Sequence, residues 1–228
     1  MNIHGEHDPS LPQKVFLAAS HLMAVSLVAW LLFDDGIVTL SSWLNFGISA
    51  GNYLRKILLL GASVIYLVRI CFTGYFLQRK IAWSEAATVS IWLYILHLSF
   101  AFLGGQNAAP VGFIGIAGCA LYLTGSYLNT ASEYERYRWK QDPKNRGRLY
   151  TQGLFSYAMH INYFGDTLLF TGFALITASM WSLILPGAIV TLFIFFQIPN
   201  LDAYLSEKYG EDFDAYAENT STFIPGIY

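Results

Sequence analysis

Long apolar segments separated by short polar links dominate the sequence. A helix of about 20 apolar residues spans the hydrocarbon core of a bilayer. The pattern therefore predicts an all-α polytopic membrane protein with about seven transmembrane helices. The predicted spans are Val15–Phe33, Gly36–Gly51, Ile57–Leu77, Ala86–Phe102, Val111–Leu128, Tyr163–Ser179 and Trp181–Ile198.

The second of these segments has the weakest apolar pattern. It follows a turn at Asp34, Asp35 and Gly36, and it carries polar residues such as Ser41 and Asn45. Its length and polarity fit either a tilted span or a re-entrant segment that enters and leaves the membrane on one side. Both interpretations stay open at the level of the sequence.

The fifth segment extends beyond the length that a bilayer requires. Asn129, Glu133 and Tyr137 follow it at a spacing of four, so one helical face continues past the membrane. Asp142-Pro143 then breaks the helix. Glycines along a membrane helix permit close approach of a neighbouring helix. Four lie in or beside this segment: Gly112, Gly115, Gly118 and Gly125.

Composition supports the membrane assignment. The 228 residues are 55% hydrophobic and 12% charged, whereas soluble domains carry about 25% charged residues. We expect one integral membrane domain over residues 1–228, with the bilayer and a hydrophobic lipid substrate as partners and no nucleic acid. Its polar parts are an N-terminal tail at 1–13, a basic loop at 129–153 and an interfacial tail at 200–228.

Charge distribution predicts the orientation. Six of the 13 Lys and Arg residues lie between Arg136 and Arg148. Basic loops favour the cytoplasmic side of a membrane, and with seven spans the link at Arg79-Lys80 and the C-terminal tail fall on that same side. The basic cluster suits either a phosphate-rich ligand or an anchor to anionic lipid.

The tail at 200–228 carries Tyr209, Phe213 and Tyr216 at helical spacing. This pattern predicts an amphipathic helix lying at the membrane interface.

Polar residues inside apolar segments identify candidate sites. Asn162 and Asp166 are four residues apart, so they share a helical face. An Asp within a membrane helix is costly and normally faces a polar cavity, a ligand or a partner, although local pairing at the membrane surface is the alternative. His21, inside the first span, is predicted to form a hydrogen bond with a neighbouring helix.

Two short motifs resemble a known group of membrane enzymes. Gly153-Leu154-Phe155, followed by Asn162-Tyr163-Phe164-Gly165-Asp166, resembles the cofactor-binding signature of steroid 5-alpha-reductases and sterol reductases. The closing segment 223–228 is similar to the C-terminus of those families. The likeness covers mainly the second half of the chain, and the same superfamily includes isoprenylcysteine carboxyl methyltransferases.

The resemblance implies an NADPH-dependent enzyme that reduces a carbon-carbon double bond in a steroid-like or isoprenoid lipid. Asn129-Thr130-Ala131-Ser132-Glu133 also resembles an element that precedes the signature in the reductases. The chain has no Gly-x-Gly-x-x-Gly between a strand and a helix, so a soluble dinucleotide fold is not expected. The residues implied to hold NADPH are Asn129, Glu133, Arg148, Asn162, Tyr163, Asp166 and Tyr204.

The resemblance also implies catalytic residues in the first half. Tyr66-x-x-Arg69 looks like a reductase element whose tyrosine hydroxyl meets the substrate carbonyl. A donor of this kind stabilises the developing enolate oxygen. The acidic partner expected on the second span is missing here, and Asp34 or Asp35 lies nearest, so Tyr66 and Asp35 are the candidate catalytic pair.

Two other functions stay open. The methyltransferases bind S-adenosylmethionine through Arg-His-Pro-x-Tyr, and the corresponding segment here, residues 159–163, keeps His160 and Tyr163 but lacks the arginine and proline. The missing acidic partner favours a third interpretation, a non-catalytic sterol-binding membrane protein.

Overall fold

A computed structural model describes residues 10–45, 47–77 and 80–228. Most of the polar N-terminal tail, together with Arg79, lies outside these ranges. Nine α-helices lie within them. They are α1 (Leu11–Phe33), α2 (Gly36–Leu44), α3 (Tyr53–Cys71), α4 (Trp83–Gly105), α5 (Phe113–Lys140), α6 (Ile161–Thr177), α7 (Ile184–Leu192), α8 (Ile198–Tyr209) and α9 (Glu211–Asn219).

The structure confirms a helical membrane protein. Four helical stretches of the described residues are long and apolar enough to cross a membrane: Leu11–Phe33, Tyr53–Tyr75, Trp83–Gly105 and Met180–Tyr209. The predicted count of seven is not reached by this criterion. Of the two interpretations of Gly36–Gly51, a tilted span does not fit, because α2 has 9 residues. That length is about 14 Å, less than half of the roughly 30 Å hydrocarbon core.

Several predicted boundaries change as well. Helix α1 already begins at Leu11, before the predicted start of the first span at Val15. Helix α5 continues through Lys140, which confirms the predicted extension past the apolar segment. The last apolar stretch does not stop at Ile198, because a π-helical turn, Phe193–Gln197, leads directly into α8. Proline is tolerated in the first turn of a helix, where its missing N–H has no helical partner, so Pro199 does not interrupt the stretch.

The chain divides into two compact units. Unit 1 comprises the residues up to Ala120 together with Gly172–Leu183, and unit 2 comprises Leu121–Thr171 together with Ile184–Tyr228. In unit 1, α1 packs against α3 and α4. The buried side chains of α1 recur every three or four residues, as expected for one face of a helix. They include Leu17, His21, Ala24, Val28 and Leu31.

A buried arginine joins the helix ends of unit 1. Arg55 is 1% exposed and lies in the first turns of α3. Its Nε donates to the carbonyl oxygen of Ile176 at 3.0 Å. Its Nη1 donates to the carbonyl oxygens of Asn107 and Ala109, each at 2.8 Å, and Nη2 donates to that of Pro110 at 3.3 Å. Arg55 therefore satisfies a carbonyl in the last turn of α6 and three carbonyls of the loop after α4.

Close contacts between α5 and α6 depend on glycine. A Cβ at Gly118 would lie 2.8 Å from the carbonyl oxygen of Gly172. A Cβ at Gly125 would overlap the backbones of Gly165 and Leu169. Both positions confirm the predicted close packing, since only the absence of a side chain permits this approach.

The other two glycines do not have this role. A Cβ at Gly112 would have no described atom within 4 Å, and one at Gly115 would meet only the side chain of Val111 among the described atoms. The prediction that these two glycines permit close helix packing is wrong.

Replacement of the buried arginine tests the connection between helix ends. We expect Arg55→Met to lower the free energy of unfolding by about 3 kcal/mol, because four carbonyl oxygens lose a charged donor. Denaturation of the purified protein in detergent micelles measures the effect. Lys56→Met, which removes a half-buried cation from the next position, is the control and should change stability by about 0.5 kcal/mol or less. Equal stability of the two variants would contradict the role of Arg55.

A glycine substitution tests the contact between α5 and α6. We expect Gly125→Ala to lower the free energy of unfolding by about 2 kcal/mol or more, because a methyl group must displace the facing backbone. The matched control is Gly187→Ala in α7, where an added Cβ has no neighbour within 4 Å among the described atoms. That variant should be neutral or stabilising, since alanine is the better helix former. A comparable loss in both variants would show that helix propensity, and not the contact, determines the result.

Candidate functional site

The close approach of α5 and α6 in unit 2 brings together side chains that are far apart in sequence. A Cβ at Gly165 would lie 2.6 Å from the backbone nitrogen of Asn129, so the two backbones are in contact at this level. Asn129 Nδ2 donates to the carbonyl oxygen of Asn162 at 3.0 Å. Asn162 Nδ2 in turn donates to Glu133 Oε1 at 2.9 Å.

These contacts define an amide-carboxylate cluster of Asn129, Glu133 and Asn162. All three side chains are half-buried, and Glu133 also forms an ion pair with Arg136. Amide and carboxylate groups offer both donors and acceptors, which suits a ligand rich in hydroxyl and amide groups. The structure thus brings together three of the residues predicted to bind a cofactor, and their role in binding stays a prediction.

The other predicted cofactor residues lie in different parts of unit 2. Asp166 is half-buried one turn beyond Asn162 on α6, whereas Arg148 is exposed in the loop before Gly153. Tyr204 is half-buried on α8, where its hydroxyl oxygen accepts a hydrogen bond from Lys208 Nζ at 3.0 Å. Tyr163 lies on α6, beside the cluster in sequence, and takes part in a stack of rings.

The stack includes His160, which forms a pair with Asp202 that the sequence did not predict. His160 Nε2 lies 2.8 Å from Asp202 Oδ1. The imidazole ring is parallel to the ring of Tyr163, with centroids 5.6 Å apart and an interplanar angle of 8°. Tyr163 stacks on Phe193 at 4.7 Å. His160 is 1% exposed, so Asp202 fixes the orientation of a buried imidazole two residues before Asn162. A separation of 42 residues gives no periodic signal in the sequence.

The C-terminal segment holds the backbone at this point. The N–H groups of Met159 and His160 donate to the carbonyl oxygens of Ser221 and Thr222 at 2.8 and 3.0 Å. Phe223 is 2% exposed and meets Phe164 edge to face, with centroids 6.0 Å apart. The closing motif and the Asn-Tyr-Phe-Gly-Asp motif, which the sequence treats as separate, are therefore in direct contact.

The Gly-Leu-Phe turn is held by α5 and α9. Gly153 has a φ of 58°, and a Cβ there would meet the carboxylate of Glu135. The backbone N–H of Leu154 donates to Glu135 Oε2 at 3.0 Å. The hydroxyl of Tyr216 donates to the carbonyl oxygen of Phe155 at 2.5 Å. Burial raises the pKa of Tyr216 well above its usual value, so the phenol stays protonated and remains a donor.

This contact involves the predicted tail at 200–228. The tail is helical as its spacing predicts, because α8 and α9 cover Ile198–Asn219 apart from a break at Gly210. Phe213 and Tyr216 form a buried cluster with Met159, and the position of the tail at the membrane interface stays a prediction. The apolar face of α9 covers the segment that leads into α6.

In unit 1, the predicted catalytic residues are separated. Tyr66 is 8% exposed, and the guanidinium of Arg69 lies 5.2 Å from the centroid of its ring. Asp35 is exposed and precedes α2. It follows the end of α1 at Phe33, which lies roughly 18 Å along the helix axis from His21 at 1.5 Å per residue. The ring of Tyr66 lies beside that of His21, so Asp35 is at the far end of α1 from Tyr66. The catalytic roles of Tyr66 and Asp35 stay predictions.

Two histidine rings lie beside the ring of Tyr66. The centroid of the Tyr66 ring lies 5.4 Å from that of His21 and 5.7 Å from that of His97. His21 Nε2 lies 2.9 Å from His97 Nε2 on α4, which confirms the predicted hydrogen bond between His21 and a neighbouring helix. No periodic pattern in the sequence pairs these two histidines, because they are 76 residues apart.

Unit 1 also has an open apolar groove of about 380 Å³. Its walls come from α1, α2 and α4, and its lining includes Leu27, Trp30, Leu40, Leu98 and Phe102. A groove of this volume and character fits an apolar chain or ring system.

Comparison with known proteins gives two distant relatives of different function. The chain is 29% identical over 114 residues to the probable O-methyltransferase ustE of Ustilaginoidea virens, covering 46% of this chain and 37% of that protein. It is 28% identical over 112 residues to 3-oxo-5-alpha-steroid 4-dehydrogenase 1 of Rattus norvegicus, covering 49% of this chain and 41% of that protein. The matches thus span about two fifths of the length of these curated relatives.

A family model matches a longer part of the chain. It covers residues 86–220, which include α5, α6 and the whole amide-carboxylate cluster. Since this match extends over more than half of the sequence, the chain belongs to the family described as protein of unknown function DUF1295.

Proposed function

We propose that this protein is an NADPH-dependent membrane reductase that reduces a carbon-carbon double bond in a steroid-like or isoprenoid lipid. The observation that carries the proposal is the amide-carboxylate cluster in unit 2. Two separate stretches that resemble reductase motifs, one at 129–133 and one at 162–166, meet there through direct hydrogen bonds. The steroid dehydrogenase relative supports the same chemistry.

The side chains present fit a nicotinamide dinucleotide. Asn129 and Asn162 offer amide donors and acceptors, and Glu133 and Asp166 offer carboxylate acceptors for ribose hydroxyls or a carboxamide. Arg148 and its neighbours Lys144 and Arg146 are accessible on the loop that leads into the site, where they can pair with phosphate. NADPH supplies the hydride when it is bound, and these residues bind and orient it.

A lipid substrate follows from the character of unit 1. Three of the four apolar stretches lie within it, and the groove between α1, α2 and α4 provides an apolar surface. Tyr66 is the proposed hydrogen-bond donor to a substrate carbonyl. Asp35 has no supporting contact with Tyr66 among the described residues, so the proposal does not depend on it.

The orientation is also part of the proposal. We place the basic segment at 136–148, which comprises the end of α5 and the loop after it, and the cofactor cluster on the cytoplasmic side, because basic segments are retained there. NADPH is available on that side of the membrane.

Methyl transfer is the second candidate function, and a specific observation favours it. His160 and Tyr163, the two residues retained from the methyltransferase signature, are stacked, and His160 is held by Asp202. The O-methyltransferase relative is as similar to this chain as the steroid dehydrogenase is. In this case S-adenosylmethionine would occupy the same region of unit 2.

Calorimetry with both cofactors separates the two functions. We expect the parent protein to bind NADPH and to ignore S-adenosylmethionine. Asp166→Asn should weaken NADPH binding by about 1.5–3 kcal/mol, the value of a hydrogen bond to a charged group. Asp212→Asn makes the same chemical change at an exposed position on α9 and should leave binding unchanged. Binding of S-adenosylmethionine without NADPH would replace the reductase by the methyltransferase.

The salt dependence of the NADPH affinity tests the proposed phosphate contact separately. We expect Arg148→Gln to weaken NADPH binding and to make the remaining affinity less sensitive to salt, because one screened contact is lost. Arg138→Gln is the control, since Arg138 is an exposed cation on α5 that contacts Tyr134. Titrations at several salt concentrations measure both variants. Equal salt dependence of the two would mean that the general positive potential, and not Arg148, attracts the nucleotide.

A further inference from the structure

Unit 1 contains a chain of buried polar groups that the proposed cofactor site does not use. His21 and His97 are 0% exposed and Ser63 is 1% exposed. The hydroxyl of Ser63 lies 3.0 Å from the carbonyl oxygen of Leu59 and 3.0 Å from His97 Nδ1. His97 Nε2 lies 2.9 Å from His21 Nε2. The chain therefore runs from the backbone of α3 through α4 to α1.

The proton positions along this chain are coupled. If the single hydroxyl proton of Ser63 is donated to Leu59, His97 Nδ1 must donate to Ser63. A neutral His97 then accepts at Nε2, so His21 donates from Nε2 and its Nδ1 is a bare acceptor. If Ser63 instead donates to His97 Nδ1, the carbonyl oxygen of Leu59 loses this donor. His97 then donates from Nε2 to His21 Nε2, and His21 Nδ1 carries the proton.

His21 Nδ1 is the end of the chain in both arrangements. It is buried and has no hydrogen-bond partner within the described ranges. A buried polar atom without a partner carries the full cost of its desolvation. The chain of hydrogen bonds therefore lacks a partner at one atom, His21 Nδ1, which is an acceptor in one arrangement and a donor in the other.

The surroundings restrict what could complete it. Tyr66 and Phe173 place aromatic rings beside the two histidines, with centroid distances of 5.4 Å from Tyr66 to His21 and 5.6 Å from Phe173 to His97. The helices that carry the histidines belong to apolar stretches. A highly charged ligand would lose its hydration here. An apolar molecule with a single oxygen function would meet one polar atom and apolar walls.

We propose that His21 Nδ1 is the polar anchor of a lipid-binding site for an apolar molecule that carries one hydroxyl or carbonyl oxygen. The bare nitrogen accepts a hydrogen bond from a hydroxyl, and the protonated nitrogen donates one to a carbonyl. His97 and Ser63 position the ring and select between the two states. Identifying this ligand with the substrate rests on the proposed function, but its binding does not require the cofactor cluster of unit 2.

Binding without nucleotide tests the site. The full chain in lipid nanodiscs is titrated with cholest-4-en-3-one, cholesterol and cholestane, which share one skeleton and differ in the oxygen function. Farnesal, farnesol and farnesane form a second set with a flexible skeleton. We expect at least one oxygen-bearing probe to bind tenfold or more tightly than the hydrocarbon of its own set. A carbonyl preference or a hydroxyl preference identifies which proton arrangement the ligand selects.

Two substitutions at one position identify the atom. His21→Gln keeps an amide group near the position of Nε2, where it can meet His97, but has no atom at Nδ1. His21→Asn places its amide near the position of Nδ1 and loses the contact with His97, because it has no atom near Nε2. We expect His21→Gln to abolish the tenfold preference and His21→Asn to retain part of it. Ser26→Ala, on the exposed side of the same helix, should bind like the parent.

A spectroscopic measurement covers the case in which the variants do not fold. In the parent protein labelled with ¹⁵N-histidine, the oxygen-bearing probe should shift the Nδ1 resonance of the buried pair, and the hydrocarbon should not. The proposal is wrong if neither skeleton shows an oxygen preference, if the preference survives in folded His21→Gln, or if the resonance does not move. These measurements contain no nucleotide, so their outcome does not depend on whether unit 2 binds NADPH. A failure of the lipid-site proposal can therefore be distinguished from a failure of the proposed reductase function.

Discussion

A hydrocarbon environment supplies no hydrogen-bond partners, so polar groups among apolar helices must find them within the protein. Arg55 shows the consequence most directly, because its buried guanidinium is bonded to four backbone carbonyls and to no carboxylate among the described residues. The same constraint accounts for the pairing of His21 with His97. At the end of that pair, His21 Nδ1 is buried without a hydrogen-bond partner among the described residues.

In unit 2 the equivalent constraint is the distance between two helix backbones. Gly125 and Gly165 let α5 and α6 touch, and only at that separation can Asn129 and Asn162 share a hydrogen bond. The C-terminal segment then fixes His160, and α9 fixes the Gly-Leu-Phe turn. The cluster is therefore positioned from several sides by packing, which is the condition for a preorganised binding site.

The two relatives reported above are named for different reactions, and the amides and carboxylates of unit 2 do not by themselves favour one of them. A cluster of amides and carboxylates beside a basic loop can bind a nucleotide whichever group is transferred. What separates the functions is the transferred group and the lipid that receives it. For this reason the decisive measurements compare cofactors and lipids, and do not compare folds.

The sequence determined the helical membrane class, the extension of α5 beyond its apolar segment and the hydrogen bond of His21, because periodicity and burial cost are local properties. Through resemblance it also selected Asn129, Glu133 and Asn162, which the structure brings into contact and whose binding role stays a prediction. It could not determine that α2 is too short to span, that Phe213 and Tyr216 pack on Met159, or that Asp35 lies away from Tyr66. Nor could it find His160 with Asp202 or His21 with His97. Those pairs join residues 42 and 76 positions apart, and contacts over such separations arise only when helices pack, which no local pattern encodes.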